Sequence, residues 1–475
     1  MKREIIANVL PEETRIAVLE DGVLAEFMIE RPALGMAKLV GNIYKGKIEN
    51  VLPGISSAFV NTGFEKNAYL YVTDVVSPSK DRHIEKMVRR GEDIMVQVAK
   101  EAIGTKGMKV TMDISLPGRY LIYMPKSEHV GVSKNIEEPE ERERLRRIVE
   151  GENLPGGVIV RTEAEGAEED ELRREMKYLA RLWEGVQRKF ESSATGTLVH
   201  RELGLTFQVA RDLLTDDAQI FLIDDREEYR DVRGFVEMLA PELAERVQHY
   251  TGKTPIFQAF GVDRDLAHIR QQRIDLPSGG YIIIQEAESL CAIDVNTGKF
   301  IGHKSQEETV TATNLEAADE VAKQLRLRNI GGIIVIDFID MRRKRNQHKV
   351  VESLHHATRN DRAKIKILPI TRLGLVEMTR ERRRESLLSL LSEPCADCAG
   401  SGNVLSRESM YLKIQKEILE LTQGRADGNL KITLAPGVGD FVRERLERME
   451  KIIHRSAEIA IDPTLSWEDY RIVID

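Results

Sequence analysis

An aspartate and an asparagine stand two residues apart in CAIDVNTGKF, residues 291–300, which otherwise has the composition of a strand. Side chains alternate between the two faces of a strand, so Asp294 and Asn296 point to the same side. We expect this strand to be buried, and a buried carboxylate needs a cationic partner because the loss of its hydration is costly. The pair therefore predicts a bound cation.

A second acidic strand end follows further along the chain. Asp337 ends the strand in GGIIVIDFID, and a predicted helix over 305–328 connects it to the first strand. Such a crossover makes the two strands parallel, so their carboxyl ends open at one edge of the sheet, where α/β proteins bind ligands. Carboxylate and amide oxygens suit magnesium. Helix capping is the alternative role for Asp337, but Asp340 is better placed to cap the helix that begins MRRKR.

The cysteines indicate a second metal. Cys395 and Cys398 form a Cys-x-x-Cys in PCADCAGSG. A redox pair of the thioredoxin type opens a helix after a strand, whereas this pair precedes AGSGNV, so zinc is favoured. Structural zinc takes four ligands, and Cys291 is a mid-strand core position. A second copy of the pair completes the site, which predicts a zinc-bridged homodimer; a redox pair and two free thiols remain alternatives.

Charge is unevenly distributed along the 475 residues, whose net charge is −8. Acidic residues concentrate in 136–145 and 163–171, whereas 268–273, 342–349 and 379–386 are basic. The overall negative charge argues weakly against a nucleic-acid partner. A local positive field beside acidic metal ligands instead suits a polyanionic substrate. The alternative explanation of each basic segment is a helix face exposed to solvent.

The sequence also indicates where the protein works. It has no apolar run of membrane-spanning length, and its start, MKREIIANVLPEE, lacks the apolar core of a signal peptide. Three cysteines are too few for a disulfide framework, which favours a reducing compartment. These features predict a cytoplasmic protein without a membrane span.

The first third of the chain has the pattern of β-structure. Residues 3–30 predict strands with a hairpin turn at EDG. Short alternating strands with glycine turns then run from Gly41 to about Met124 and predict a small antiparallel barrel.

Mixed structure is predicted for the rest of the chain. Helical periodicity marks 137–150 and 167–192, with the strand GGVIVRT between them. Strands alternate with helices over 205–275, and a helix and a small α/β segment follow residue 405. The length suggests roughly three domains, and the predicted class is α/β multidomain.

Five motifs, in this order, resemble the catalytic half of the ribonuclease E/G family: AIDVNTG, NLEAADEVAKQLRLRNIGGIIVIDFIDM, DRAKI, RLGLVEMTR and CADCAGSG. The resemblance covers essentially the whole chain. Because the chain stops at Asp475 without a long disordered scaffold, its layout resembles the shorter ribonuclease G branch of the family.

The resemblance implies a set of domains. They are a discontinuous RNase H-like domain (1–35 and 206–275), an inserted OB-fold RNA-binding barrel (36–119), a 5′-phosphate sensor region (120–205), a DNase I-like α/β catalytic domain (276–391), a Cys-x-x-Cys zinc link (392–405) and a small α/β domain (406–475).

The resemblance also implies an activity, that of a magnesium-dependent, single-strand-specific endoribonuclease in rRNA maturation and mRNA turnover. Such an enzyme favours 5′-monophosphorylated RNA and leaves 5′-phosphate and 3′-hydroxyl ends. Asp294 and Asp337 match the family's magnesium ligands, and Asn296 matches a residue that holds their arrangement. The implied partners are single-stranded RNA, namely rRNA precursors and mRNA, and a second subunit through shared zinc, with a dimer of dimers as a further assembly.

Residues of the barrel match RNA contacts of the family. OB barrels hold single strands by stacking bases on aromatic side chains along a basic groove. Phe59 and Tyr69 match the stacking positions, and Lys106 matches a phosphate contact. The sequence has tyrosine at 69 where phenylalanine is expected, which keeps the stacking face. Without the resemblance, a core position is the better interpretation of either aromatic residue.

Two further segments match RNA contacts. GGVIVRTEAEG matches the pocket for a 5′ monophosphate, to which Arg161 offers a fork of donors and Thr162 a hydroxyl. DRAKI carries Lys364 where the family often has arginine, so a bidentate contact there becomes a point-charge contact.

Two other classes of function fit parts of the sequence. A non-catalytic RNA-binding scaffold needs only the barrel, the basic runs and the dimer, and leaves the paired acids without a role. A redox protein would use Cys395 and Cys398, and predicts no stoichiometric zinc.

Overall fold

The computed structural model describes residues 2–31, 39–76, 83–101, 107–152, 154–298, 305–382, 384–398, 400–422 and 430–474. The chain divides into two compact units, Met1–Arg384 and Glu385–Asp475. Within the described ranges, no helix combines the length and the apolar character that crossing a membrane requires.

The chain begins with three antiparallel strands, β1 (Arg3–Val9), β2 (Thr14–Glu20) and β3 (Val23–Glu30). Asp21 and Gly22 turn β2 into β3, both with positive φ, as a two-residue turn of this hand requires. The hairpin predicted at EDG is confirmed.

A barrel follows. Its elements are β4 (Ile43–Leu52), β5 (Ser57–Asn61), β6 (Ala68–Tyr71), a short helix α1 (Ile84–Met87), β7 (Asp93–Lys100) and β8 (Lys109–Thr111). The order β4-β5-β6-β8-β7 closes by pairing of β7 with β4, which gives a five-stranded, OB-like barrel. The prediction of an entirely antiparallel barrel is wrong at one seam, since β6 and β8 pair in parallel.

The next segment forms a four-stranded sheet with two helices. Its elements are β9 (Leu116–Pro117), β10 (Leu121–Met124), β11 (Val130–Val132), α2 (Pro139–Gly151), β12 (Gly157–Val160), α3 (Glu169–Ser192) and β13 (Leu198–His200). The sheet order is β11-β12-β10-β9, while β13 pairs with β4 of the barrel. Both predicted helices and the strand between them are confirmed.

The elements that follow extend the sheet that begins with the N-terminal strands. They are α4 (Leu205–Asp212), β14 (Ala218–Ile223), α5 (Arg226–Leu239), β15 (Val247–His249), α6 (Ile256–Ala259) and α7 (Val262–His268). Parallel pairing of β14 with β1 completes a five-stranded sheet of order β15-β14-β1-β2-β3. One sheet therefore unites two segments that are distant in sequence.

The last sheet of the first unit positions the predicted acids. Its elements are β16 (Arg273–Asp275), β17 (Tyr281–Glu286), β18 (Leu290–Asn296), α8 (Gln306–Leu327), β19 (Gly332–Asp337), α9 (Lys344–Ala357), β20 (Ile365–Ile367) and β21 (Leu375–Arg380). The order is β16-β17-β18-β19-β21-β20, with β18 and β19 parallel. The predicted crossover through α8 is confirmed.

The second unit is a small α/β body. It contains α10 (Leu387–Leu391), α11 (Arg407–Leu421), β22 (Leu430–Leu434), α12 (Pro436–Arg443), α13 (Leu446–Ile453), β23 (Ala457–Ile461) and β24 (Tyr470–Ile474). The strands form a sheet of order β23-β22-β24, and α11, α12 and α13 contribute to its core.

Candidate active site

The two predicted acidic residues are paired across neighbouring strands. The register of β18 and β19 sets Asp294 opposite Asp337, the last residue of β19. Neighbouring strands lie about 4.8 Å apart, and paired residues direct their side chains to the same face. The two carboxylates therefore meet on one face of the sheet, as the crossover predicts.

The expected burial of this strand is wrong for the face that bears the acids. Asp294 and Asp337 are exposed and Asn296 is half-buried, whereas Cys291 and Ile293 are buried on the opposite face. The reason is that α8 and α9 pack against one face of the sheet. An exposed carboxylate keeps its hydration, so what favours a cation here is the proximity of two like charges.

Asn296 orients one of the two carboxylates. Its Nδ2 donates a hydrogen bond of 2.7 Å to Oδ2 of Asp294. An amide held in this way restricts rotation of the Asp294 side chain and keeps its carboxylate beside that of Asp337.

The side chains at this site suit magnesium, the metal that the resemblance to the ribonuclease E/G family implies. Among the described residues, no group of three or more His, Cys, Asp or Glu side chains is arranged to hold a metal ion. Magnesium does not need such a cage, because it is commonly bound by one or two carboxylates and several waters. The exposed pair Asp294 and Asp337 fits that mode of binding.

A polar residue of α8 fixes the loop that follows Asp337. The fully buried Asn314 donates from Nδ2 to the Ile339 carbonyl at 2.8 Å and accepts the Ile339 N–H at 3.0 Å. These two hydrogen bonds were not predicted from the sequence. Their signal is a polar residue on the helical face that carries Val310 and Ala318 into the core.

The backbone just before α9 is held by a residue that is distant in sequence. Glu307 accepts the backbone N–H groups of Arg342 and Arg343 at 3.1 and 3.0 Å, and also the side-chain amide of Asn346. The bonds from Arg343, Asn346 and Arg342 lower the pKa of Glu307. The predicted capping by Asp340 is wrong, because α9 begins only at Lys344, too far along the chain for that carboxylate to reach its first N–H groups.

The predicted stacking residues lie side by side on the barrel. Phe59 of β5 pairs with Tyr69 of β6, and their ring centroids are 6.1 Å apart in an edge-to-face arrangement. Tyr71, which sequence reasoning missed, stacks on Tyr69 with centroids 6.4 Å apart and planes at 21°. Its signal was the two-residue spacing from Tyr69, which places both rings on one face. Lys106 lies outside the described residues.

The predicted phosphate contacts Arg161 and Thr162 already have partners. Arg161 Nη1 donates to the Gly118 carbonyl at 2.6 Å and to Asp212 Oδ1 at 2.8 Å. The Thr162 hydroxyl shares a hydrogen bond of 2.9 Å with the Ser133 hydroxyl. A terminal phosphate at this position would therefore compete with Asp212 for the guanidinium.

The ion pair of Arg161 and Asp212 should make the stability of the fold depend on pH. Although burial opposes it, hydrogen bonds and charge from Arg211 and Arg161 lower the pKa of Asp212 to about 2. A carboxyl whose folded pKa is depressed stabilises the fold above its unfolded pKa and loses that contribution as the pH falls toward the folded value. We expect Asp212→Asn to reduce the free energy of unfolding by about 2 kcal/mol at neutral pH. Urea unfolding of both proteins at falling pH should show this difference shrinking below about pH 4.

Lys364, the remaining predicted contact, is exposed at the end of DRAKI. The first residue of that motif has a structural role, since Asp361 accepts two hydrogen bonds, of 2.7 and 3.2 Å, from Arg380. Both side chains are almost fully buried, at 6% and 5% exposure. Arg380 also donates to the Ile330 carbonyl at 2.9 Å. The pair ties the DRAKI segment to the end of β21.

We expect Arg380→Ala to destabilise the first unit by about 3–5 kcal/mol, because it leaves the Asp361 charge buried without a partner. Lys364→Ala removes an exposed cation from the same motif and should change the unfolding free energy by no more than about 0.5 kcal/mol. Urea unfolding followed by circular dichroism measures both. Equal effects of the two substitutions would contradict the structural role of the pair.

The cysteine pair lies in the second unit. Cys395 is exposed and Cys398 is half-buried. Backbone N–H groups of Gly402 and Gly400 and the thiol of Cys395 lower the pKa of Cys398. This stabilises the thiolate, which is the form that binds a metal. Cys291 is buried, and burial raises its pKa to about 12, so its prediction as a core residue is confirmed.

Comparison with known proteins places these sites in context. The sequence profile described as the Ribonuclease E/G family matches residues 115–383. Ribonuclease G of Escherichia coli strain K12 is 38% identical over 490 aligned residues, which cover 100% of both chains. Ribonuclease G of Haemophilus influenzae is 40% identical over 489 residues, covering 99% of each. Ribonuclease E of Nostoc is 38% identical over 374 residues, which cover 77% of this chain and 54% of that protein.

Proposed function

The chain belongs to the ribonuclease E/G family, and we propose from this that it is an endoribonuclease that cuts single-stranded RNA with magnesium at Asp294 and Asp337. The observation that supports this most is the direct register pairing of the two acids on an exposed face of β18 and β19. The substrates would be rRNA precursors and mRNA, cut to leave 5′-phosphate and 3′-hydroxyl ends.

The residues at the carboxyl ends of β18 and β19 then have separate roles. Asp294 and Asp337 would hold the ion, and Asn296 keeps the Asp294 carboxylate oriented toward it. An ion held by Asp294 and Asp337 would supply activation of a water and stabilisation of the negative charge that develops on the phosphate. Asn314 fixes the loop after Asp337, so the position of that carboxylate is set before substrate arrives.

RNA binding would occur away from this edge as well. Phe59 and Tyr69 offer ring faces to unstacked bases, and base stacking of this kind is tolerant of sequence. The 5′ monophosphate would be bound near Arg161 and Thr162, with exchange of the Asp212 contact for the phosphate. Lys364, which is exposed, offers a single point charge to a phosphate.

The domain assignment is proposed on the same basis. The five-stranded sheet formed by 1–35 and 206–275 would be the RNase H-like domain, interrupted by the barrel and the sensor region. Residues 276–391 would be DNase I-like. Cys395 and Cys398 would bind zinc with the same pair of a second subunit, in a cytoplasmic homodimer that is able to pair further.

A cleavage assay tests the proposed activity. A short 5′-monophosphorylated RNA with an unpaired central segment should be cut in magnesium but not after chelation, and its fully duplexed form should stay intact. A 5′-hydroxyl version should be cut more slowly. Binding of the single strand without any cleavage would instead support a non-catalytic scaffold.

A further inference from the structure

Five basic side chains lie between the end of β19 and the second turn of α9: Arg342, Arg343, Lys344, Arg345 and Lys349. All five are exposed. We call them the α9 basic patch. The proposed active site does not use any of them.

The patch is not neutralised by neighbouring acids. Within the described part of the chain, no carboxylate lies within 4.0 Å of any of these five side chains, and the nearby acid Glu352 pairs with His348 instead, at 3.2 Å. Glu307 lies at the base of the patch, where its oxygens accept backbone N–H groups and the Asn346 amide and its charge also interacts with that of Arg343. The positive charge of the patch is therefore open to solvent.

The placement of these charges works against helix stability. The first turn of α9 has no acidic residue and instead carries Lys344 and Arg345. Cations at the N-terminus of a helix are repelled by the positive end of its dipole. A local arrangement of charge that opposes helix stability is typical of a functional surface.

The patch is also held close to the paired acids. Only residues 338–343 separate Asp337 from α9, and Asn314 and Glu307 fix both ends of that loop. Asp294, Asp337 and Asp340 give this edge three exposed carboxylates, which repel a phosphodiester. A chain of net charge −8 needs local positive charge to bring a polyanion to such an edge.

We infer that the α9 basic patch binds the phosphate backbone of the RNA strand beside the bond that is cut. The inference rests on the proposed function, because it assumes that RNA lies at the edge formed by Asp294 and Asp337. Contacts from lysine and arginine to phosphates are independent of base sequence and are weakened by salt. The patch would thus align the strand without selecting its sequence.

The chain offers a matched control for this patch. Arg359 and Lys366 are also exposed, and within the described residues neither pairs with an acid. Arg359 lies beyond the opposite end of α9, whose 14 residues span about 21 Å. Exchanging these two cations for glutamine removes as much charge as Lys344→Gln with Arg345→Gln, but away from the acids.

The test is the salt dependence of RNA binding, measured by fluorescence anisotropy with a labelled, single-stranded, 5′-monophosphorylated RNA in buffer without magnesium. Each phosphate contact on a single strand contributes about 0.7 to the slope of log Kd against log salt. The double variant Lys344→Gln, Arg345→Gln should reduce that slope by about 1.4. Lys349→Gln alone should reduce it by about 0.7, and the control pair Arg359→Gln, Lys366→Gln should leave it unchanged.

An unchanged slope in the patch variants, or an equal reduction in the control pair, would overturn the inference. Cleavage of the same RNA by the wild-type protein in magnesium separates this failure from that of the proposed function. If the wild type cuts the RNA but the patch variants keep the full slope, the patch alone is refuted. If the wild type does not cut, the proposed function is refuted as well.

Discussion

Replacement of either paired acid, Asp294→Asn or Asp337→Asn, is expected to reduce RNA cleavage by about a thousandfold. The charge stabilisation that a bound metal provides is worth several kcal/mol, and about 4 kcal/mol corresponds to three decades of rate. Asparagine keeps the size of the side chain but lacks the charge that attracts the ion. The measurement is single-turnover cleavage of a short RNA at saturating protein.

Two comparisons give this prediction its control. RNA binding by both variants should stay close to wild type, because Phe59 and Tyr69 lie on the barrel and not on β18 or β19. Asp340→Asn removes a third exposed carboxylate of the same edge, one to which no metal role is assigned, and should keep most of the cleavage rate. Loss of cleavage in Asp340→Asn equal to that in Asp337→Asn would contradict the assignment of the two ligands.

Cys398→Ser is expected to convert the proposed zinc-bridged homodimer into monomers that lack zinc. Binding of structural zinc is worth about 10–16 kcal/mol in small zinc domains, and a serine hydroxyl is a poor replacement for a thiolate. Light scattering should show half the wild-type mass, and metal analysis should show the loss of one zinc ion per two chains. The polarised environment of Cys398, with N–H groups of Gly402 and Gly400 directed at its sulfur, supports the choice of this residue.

Cys291→Ala is the matched control, because it removes the cysteine that lies outside the Cys-x-x-Cys pair and is buried in the sheet of the first unit. It should keep both the zinc and the wild-type mass. A Cys398→Ser protein that loses zinc but stays dimeric would show that the subunits associate by another surface. One that keeps its zinc would exclude the shared site.

Local patterns in the sequence predicted the framework of the site. The crossover through α8 follows from helical periodicity between two apolar strands, and it fixes β18 and β19 as parallel neighbours. The pairing of Asp294 with Asp337 then follows from their positions at the ends of those strands. These features depend on residues close together along the chain, which is why sequence alone sufficed.

Features that depend on distant contacts were predicted less well. The exposure of Asp294 follows from which face α8 and α9 cover, and strand alternation cannot reveal that. Asp340 does not cap α9, and the backbone before that helix is held instead by Glu307, which precedes Asp340 by a helix and a strand. Arg161 proved to be bound by Asp212, the last residue of α4, which is distant from it in sequence. Such partners become visible only once the chain is folded.

The proposed activity depends above all on Asp294 and Asp337 together holding one divalent ion. Titration with Mn²⁺, a paramagnetic substitute for magnesium, followed by electron paramagnetic resonance counts the bound ions directly. The double variant Asp294→Asn, Asp337→Asn is expected to lose one site per chain, whereas Cys395→Ser with Cys398→Ser should keep it. A double aspartate variant that binds as many ions as the wild type, with the same affinity, would contradict the binding of a divalent ion by Asp294 and Asp337.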